Sequence, residues 1–417
     1  MTGRGFLVGM RVGRLGPGCQ WLDLWETIGF NMFRVLCLSL LLLTACSSED
    51  PFEAPDLPDN VGVAGDGRLA EVLEPIRAAW DVPALGAILI YQGQVVETAA
   101  VGRRSLSSAL QVTAGDQWHV GSLTESMTAT LAGVLVEQGH LSWTTTVSEA
   151  LPEVANIIRE EFRDVRLEEL LSHTSGLTAA VTSTVWWGGR PYADPLPDQR
   201  LALALELLQT QAGITRGEYL YSAGGYVVAG AMIESVMNAQ WEDLITSRVF
   251  IPLGMFTAGF GAPGRAGSFI QPWGHALQTG EYRPIEPGPD ADSPQVLGPA
   301  GTVHLTMADF AAFAGQHIAG ARGTDGLVSA ATFQRIQTQA PRTASGLGWL
   351  LAVRVWADGI ALHQEGSNQL WYANAWLAPA RDFGLLAVTN GGQDRGYRAT
   401  EATVSALIER FEAAQAP

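Results

Sequence analysis

The sequence predicts an α/β protein whose antiparallel sheet is built from both chain ends, is flanked by helices and carries an inserted all-α subdomain. Three observations lead there. Near the start, Leu69, Val72, Leu73, Ile76 and Trp80 recur at helical spacing, and "ALGAILIYQGQVVETAAVG" follows as two β-rich runs around Gln92-Gly93, the pattern of a hairpin. Near the end, "GLGWLLAVRV", "GIALHQEG", "LWYANAWLAP" and "FGLLAVTN" are short strand-like runs, and residues 400–413 are helical again. Between these flanks the chain is mainly helical, with long Gly- and Pro-rich loops at 188–197 and 261–299 and no internal repeat. Strands at both ends with helices between them require the two ends to meet in one sheet. The junction with the helical insertion, residues about 118–300, is the default place for a ligand cleft.

The first 45 residues read as a leader. Arg34 precedes the apolar run Val35 to Leu43 and the small residues of "TAC" at Thr44 to Cys46, the charged start, short apolar stretch and cleavage region of a secretory signal. The run is too short to span a bilayer. Because Met32 lies just upstream, residues 1–31 read as an over-extended start. "LTAC" also resembles the lipobox of bacterial lipoproteins, which implies cleavage before Cys46 and acylation of that cysteine. The expectation is an exported protein of the bacterial cell envelope, held to a membrane through Cys46. Cys19 and Cys37 would leave with the leader, so the product has no intrachain disulfide. Residues 46–62, including the Pro- and acid-rich "SSEDPFEAPDLPDN", read as a tether, and 63–417 as the folded domain.

Charge excludes one class of partner. The chain carries a net −17 from 25 basic and 42 acidic side chains, and every basic residue is arginine. Such a surface repels phosphate backbones, so nucleic acid is not an expected ligand.

Six segments, in order, carry the chemistry: "HVGSLTESMTATLAGVLVEQGHLSW", "LEELLSHTSGL", "YLYSAGGYVVAGAMIE", "IPLGM", "GPAGTVHLTMADFAAF" and "HQEGSNQLWYANAWLAP". Together they resemble the serine β-lactamase and D,D-peptidase superfamily, in its branch of class C β-lactamases, family VIII esterases and β-lactamase-related lipoproteins. The resemblance runs from about Gly67 to the C-terminal helix. It implies a cleft built from three boxes, Ser-x-x-Lys, Tyr-x-Asn and Lys-x-Gly or His-x-Gly. The nucleophile carries over as Ser122, while the lysine position holds Glu125. The tyrosine carries over as Tyr221, while the asparagine position holds Ala223. Gly366 fixes the register of the third box, so its basic position falls on Gln364, followed by Glu365, with Ser367 beyond. His363 is one residue off and belongs to the opposite strand face. The resemblance thus implies Ser122, Tyr221 and Glu125 as catalytic positions and Ala223, Gln364, Glu365, Gly366 and Ser367 as substrate-facing ones.

Replacing the lysine bears directly on reactivity. A serine hydroxyl attacks poorly at neutral pH unless an adjacent base takes its proton. Ser-x-x-Glu before an apolar run also matches a capping box, a cap of about 1 kcal/mol to which a carboxylate at the helix N-terminus adds roughly 0.3–1 kcal/mol. Two readings follow. In the first, the fold is kept around a degenerate cleft that binds or scaffolds. In the second, Ser122 forms an acyl-enzyme with Tyr221 or Glu125 as base, on small uncharged esters or amides or a peptide-like ligand, since Glu125 and Glu365 would repel carboxylates.

Other chemistries find less support. No serine sits in Gly-x-Ser-x-Gly, and the seven histidines show no metal-ligand spacing, so neither a metal nor another cofactor is expected. His173 reads as a loop-fixing residue and His304 as a buried, hydrogen-bonded one. Trp186, Trp187, Trp371 and Tyr372 read as core or cleft wall.

Overall fold

The computed structural model describes residues 60–179, 181 and 194–416. The leader, Cys46, most of the tether, and Trp186 and Trp187 lie outside the described residues.

The expected sheet forms from both chain ends. Strands β1 (Ala84–Tyr91) and β2 (Gln94–Gly102) come from the start, and β8 (Leu350–Arg354), β9 (Gly359–Ser367), β10 (Tyr372–Ala378) and β11 (Phe383–Thr389) from the end. Their order is β2-β1-β11-β10-β9-β8, and every neighbour is antiparallel. The β1–β2 turn works because Gln92 and Gly93 both take positive φ, 51° and 69°, which matches the twist of the strands it joins.

Alternation along the strands buries the sheet on both sides. Leu85, Ala87, Leu89, Trp376, Leu385 and Ala387 pack with the helices Leu69–Ala79 and Gln393–Gln415. Ile88, Leu362, Ala375, Leu386 and Val388 enter the larger core, shared with Leu123–Glu137 and Met307–Ala321. The two terminal helices are joined through Arg410, which is fully buried and meets Glu97, Asp66 and the Val61 carbonyl.

Helix Leu123–Glu137 runs through the middle, every residue from Leu123 to Leu135 being buried. Its sequence is apolar or small nearly all round, as a wholly enclosed helix requires. It contacts helix Ala223–Met237 of the insertion on one side and the β9 edge on the other, so its N-terminus opens where sheet and helical layer meet.

The middle is less purely helical than its composition predicts. Gln117–His119 (β3), Gly259–Phe260 (β4) and Val303–Thr306 (β7) form a small sheet in the order β3-β7-β4. Within the stretch expected to be loop, Gly274–Gln278 (β5) and Glu281–Ile285 (β6) form a hairpin. These strands are too short, and too rich in Gly, Pro and charge, to show a period of two. Among the described residues no helix is long and apolar enough to cross a membrane.

Candidate active site

The three boxes converge on one cleft of about 330 Å³, lined among others by Ser122, His173, Tyr219, Tyr221, Trp349, Gln364, Glu365, Gly366, Ser367 and Tyr372. Ala223 does not line it. That residue opens helix Ala223–Met237 and offers only a methyl group where the family's amide would stand.

Close packing brings the β9 edge against the nucleophile turn. A Cβ on Gly366 would sit 2.0 Å from the Val120 carbonyl oxygen and 2.5 Å from the Ser122 nitrogen. Gly121, at φ 52°, lies equally close, since a Cβ there would meet the Ser367 nitrogen at 2.3 Å. The Gly121–Ser122 and Gly366–Ser367 backbones are therefore in direct contact at the cleft floor.

The capping box does not form. Ser122 has helical φ and ψ, −66° and −3°, and its side chain makes no cap hydrogen bond. Its Oγ points instead into the cleft, 2.7 Å from the Tyr221 hydroxyl. Tyr221 in turn donates to Glu125 Oε1 at 2.9 Å, and because its one proton is thus engaged, Ser122 must be the donor in the first bond. The serine proton already points at the phenol oxygen. Glu125 reaches Ser122 through Tyr221, so the expectation of Glu125 as a capping group or as a direct partner of Ser122 is replaced by an ordered chain from Ser122 through Tyr221 to Glu125.

Glu125 has no exposed surface and is held by donors. Gln364 Nε2 donates to its Oε2 at 3.1 Å and to the Ser122 carbonyl at 3.0 Å. His173 Nδ1 accepts from the Ser222 N–H at 3.2 Å, which puts the ring proton on Nε2, 3.3 Å from Glu125 Oε2. His173 is thus more than a loop-fixing residue. Its backbone takes φ 58°, and its ring lies against Tyr219, Tyr221 and Tyr226, with centroids 5.9, 4.7 and 5.3 Å away. Burial first, and then the Glu125 charge, push the Tyr221 hydroxyl well above the ordinary tyrosine value. A standing phenolate is disfavoured, although Tyr221 as a residue remains 38% exposed.

His363, expected one residue off and turned away, also borders the cleft together with Glu365. His363 stacks on Trp376, with centroids 3.9 Å apart and an interplanar angle of 14°, and its Nε2 lies 3.2 Å from Glu365 Oε1. Tyr372 donates to Glu365, and hydrogen bonds from His363 and Tyr372 outweigh burial to hold that carboxyl below its ordinary value. Glu401, from the C-terminal helix, joins His363 and Glu365 so that all three ligand-type atoms lie within 4.8 Å of one another. Local spacing had no means of showing this grouping, since Glu401 arrives from a different element. Trp371 is core, edge-on to Trp118 at 6.2 Å, whereas Tyr372 lines the cleft. His304 is half-buried rather than buried, and hydrogen-bonded, its Nδ1 2.8 Å from the Gly261 carbonyl. Among the described residues no arginine lines the cleft, and the chain holds no lysine.

Comparison with known proteins agrees with this geometry. The family described as Beta-lactamase matches residues 69–410. Penicillin-binding protein 4 of Amycolatopsis lactamdurans is 26% identical over 336 residues, covering 77% of this chain and 84% of its own length. An unguisins hydrolase of Aspergillus violaceofuscus is 28% identical over 211 residues, which is 48% of this chain and 35% of that protein. Among solved structures, the octameric penicillin-binding protein homologue of Pyrococcus abyssi superimposes with a TM-score of 0.67 at 22% identity, over 82% of this chain and 77% of its own. SurE does so with 0.67 at 22% identity, over 82% and 74%. With the matched family spanning most of the sequence and the fold shared with penicillin-binding proteins, the chain belongs to the beta-lactamase family of the serine β-lactamase and transpeptidase superfamily.

Proposed function

We propose that the protein is a serine acyl hydrolase in which Ser122 is the nucleophile, Tyr221 relays its proton and Glu125 receives it. The observation that carries this reading is the directed chain from Ser122 Oγ through the Tyr221 hydroxyl, 2.7 Å away, to Glu125 Oε1, a further 2.9 Å. As Ser122 Oγ forms a bond to the substrate carbonyl carbon, its proton passes to Tyr221 while the tyrosine proton passes to Glu125. No tyrosinate accumulates, which suits a phenol held far above its ordinary value. The N–H groups of Ser122 and Ser367 are placed to receive the carbonyl oxygen as it becomes negative. Collapse breaks the ester or amide bond, and the leaving group takes the proton back from the relay. Water then repeats the sequence on the acyl-enzyme and frees the acid.

Substrate choice follows from charge. With Glu125 and Glu365 present and no arginine among the described lining residues, the cleft disfavours ligands with a carboxylate beside the reacting carbonyl, a group that penicillins carry. Small uncharged esters, amides or peptide-like acyl groups fit better. A second reading, a binding or scaffold protein with a degenerate cleft, is favoured by one feature, that both Glu125 oxygens are tied to His173, Gln364 and Tyr221. Intact-mass analysis after exposure to a fluorophosphonate and to a penicillin separates the two. One fluorophosphonate adduct on Ser122 with ester turnover supports the hydrolase; no adduct and no turnover leave the scaffold.

The leader motif makes the same protein an envelope lipoprotein in our reading, anchored through Cys46. Cys46→Ala would release it from the membrane fraction, and retention of that variant would refute the anchor.

A further inference from the structure

We infer that Asp292 is a positioning residue for Ser122 acylation, a single carboxylate that fixes the two backbone segments whose N–H groups face the reacting oxygen. This inference rests on the hydrolase reading above. Asp292 lies outside the three boxes and outside the cleft lining. Its Oδ1 nevertheless touches both sides of the cleft floor.

On the nucleophile side, Oδ1 lies 2.9 Å from Nε2 of His119, a close charge contact between buried groups in which Nε2 makes no hydrogen bond. The His119 ring carries the contact onward, because its Nδ1 accepts from the Gly121 N–H at 3.2 Å. Gly121 immediately precedes Ser122 and occupies positive φ, so this bond sets the direction from which the peptide unit of Ser122 enters the helix. On the strand side, Asn368 Nδ2 donates to the same Oδ1 at 2.9 Å and to the Ala291 carbonyl at 3.3 Å. Asn368 follows Ser367, and its own Oδ1 accepts from the Leu370 N–H at 3.1 Å. The Ser293 N–H, 2.7 Å from Oδ1, holds the carboxylate in place.

One oxygen thus joins Gly121–Ser122 to Ser367–Asn368. Glycine at 121 and 366 lets the two backbones touch directly with no side chain between them, so contacts such as those of Asp292 are what tie the segments from the side. Asp292 Oδ2 is buried without a protein partner. Displacing one oxyanion donor costs about 10²–10³ in acylation rate.

The test uses the full folded protein and a fluorophosphonate, whose P–F bond breaks as the Ser122 Oγ–P bond forms, with the serine proton passing to the relay and fluoride leaving. Asp292→Ala is expected to slow labelling about 100-fold. It is also expected to raise amide exchange in peptides covering 119–123 and 366–370, without a matching loss of affinity for the reversible probe complex. Asp292→Asn keeps an acceptor oxygen for Asn368 and Ser293 and is expected to recover most of the rate. His119→Ala and Asn368→Ala cut one arm each and should fall between, which keeps the inference testable if Asp292→Ala does not fold. A labelled wild type with an equally labelled Asp292→Ala, or with a folded Asp292→Asn as slow as Asp292→Ala, overturns this inference alone. An unlabelled wild type overturns the hydrolase reading and any catalytic part for Asp292 with it.

Discussion

Glu125→Gln is the sharpest probe of the relay because it keeps the shape of the side chain and removes its ability to hold a proton. The carboxylate accepts from Tyr221 on one oxygen at 2.9 Å and from Gln364 on the other at 3.1 Å, with His173 Nε2 in contact with that second oxygen at 3.3 Å. A glutamine whose oxygen faces Tyr221 turns its NH₂ onto the other two donors. His173 has no easy way to become an acceptor, since its Nδ1 is engaged by the Ser222 N–H, and Gln364 is held by the Ser122 carbonyl. At least one donor then faces a donor, at a cost of roughly 1–3 kcal/mol in stability. The kinetic effect should be larger. Removing a positioned base lowers rate by about 10²–10⁴, so fluorophosphonate labelling and ester hydrolysis should fall by that factor while urea unfolding shows only the smaller change. Glu125→Gln labelled as fast as wild type, with the stability loss present, would reduce Glu125 to a structural tie and refute the relay.

Further outcomes follow from the same geometry. Glu125→Lys combined with Ala223→Asn, which restores the residues of related enzymes, should destabilise more than Glu125→Gln, by about 3 kcal/mol or more in urea unfolding, because the buried ammonium would face the protons of His173 and Gln364. Gly366→Ala forces a methyl onto the Val120 carbonyl, 2.0 Å away, and should abolish Ser122 labelling; a labelled variant of native stability would show that the β9 edge yields freely. Acid should destabilise the fold early. Burial lowers His275 from 6.5 to about 4 and His317 to about 3, so the unfolded chain binds more protons between these values and pH 6.5. That stability is full above pH 6.5 and is lost as pH falls, His275 alone removing about 3 kcal/mol by pH 4. A urea midpoint that holds steady from pH 7 to pH 4.5 would refute it.

The large sheet was legible because its strands alternate toward two buried faces and because the Gln92-Gly93 turn announces itself. The hairpin Gly274–Ile285 was not, since Pro284 and charged residues interrupt its strands. At the site, Ser122, Glu125, Tyr221 and Gln364 emerged from the order of motifs, but their hydrogen-bond directions did not. The capping-box pattern was a true local match that lost to a tertiary one, because Tyr221 offers the Ser122 hydroxyl an acceptor across the cleft. His173 was undervalued for a similar reason: its turn conformation explains its presence, and only the fold reveals Glu125 beside its Nε2. His119, Asp292 and Asn368 carried no local signal, coming from three separate segments that meet only when the cleft closes.

A lysine lost to drift would leave behind a site arranged for a cation. The neighbours of Glu125 are arranged for an anion. Gln364, at the basic position of the third box, turns its amide hydrogens to the Glu125 carboxylate, and His173 presents Nε2–H rather than a lone pair because the Ser222 N–H occupies its other nitrogen. Tyr221 is oriented to give its proton to Glu125 and to receive one from Ser122. Polarity has been exchanged across the set, so that the Glu125 carboxyl accepts hydrogen bonds from Tyr221 and Gln364 and has His173 Nε2 3.3 Å away. Decay at one position does not produce such mutual agreement, because an unmatched buried carboxylate costs far more than a neutral replacement would. On the hydrolase reading proposed above, such a cleft would draw the serine proton inward through a tyrosine to an acid, and Glu365 at its border would repel carboxylate-bearing substrates.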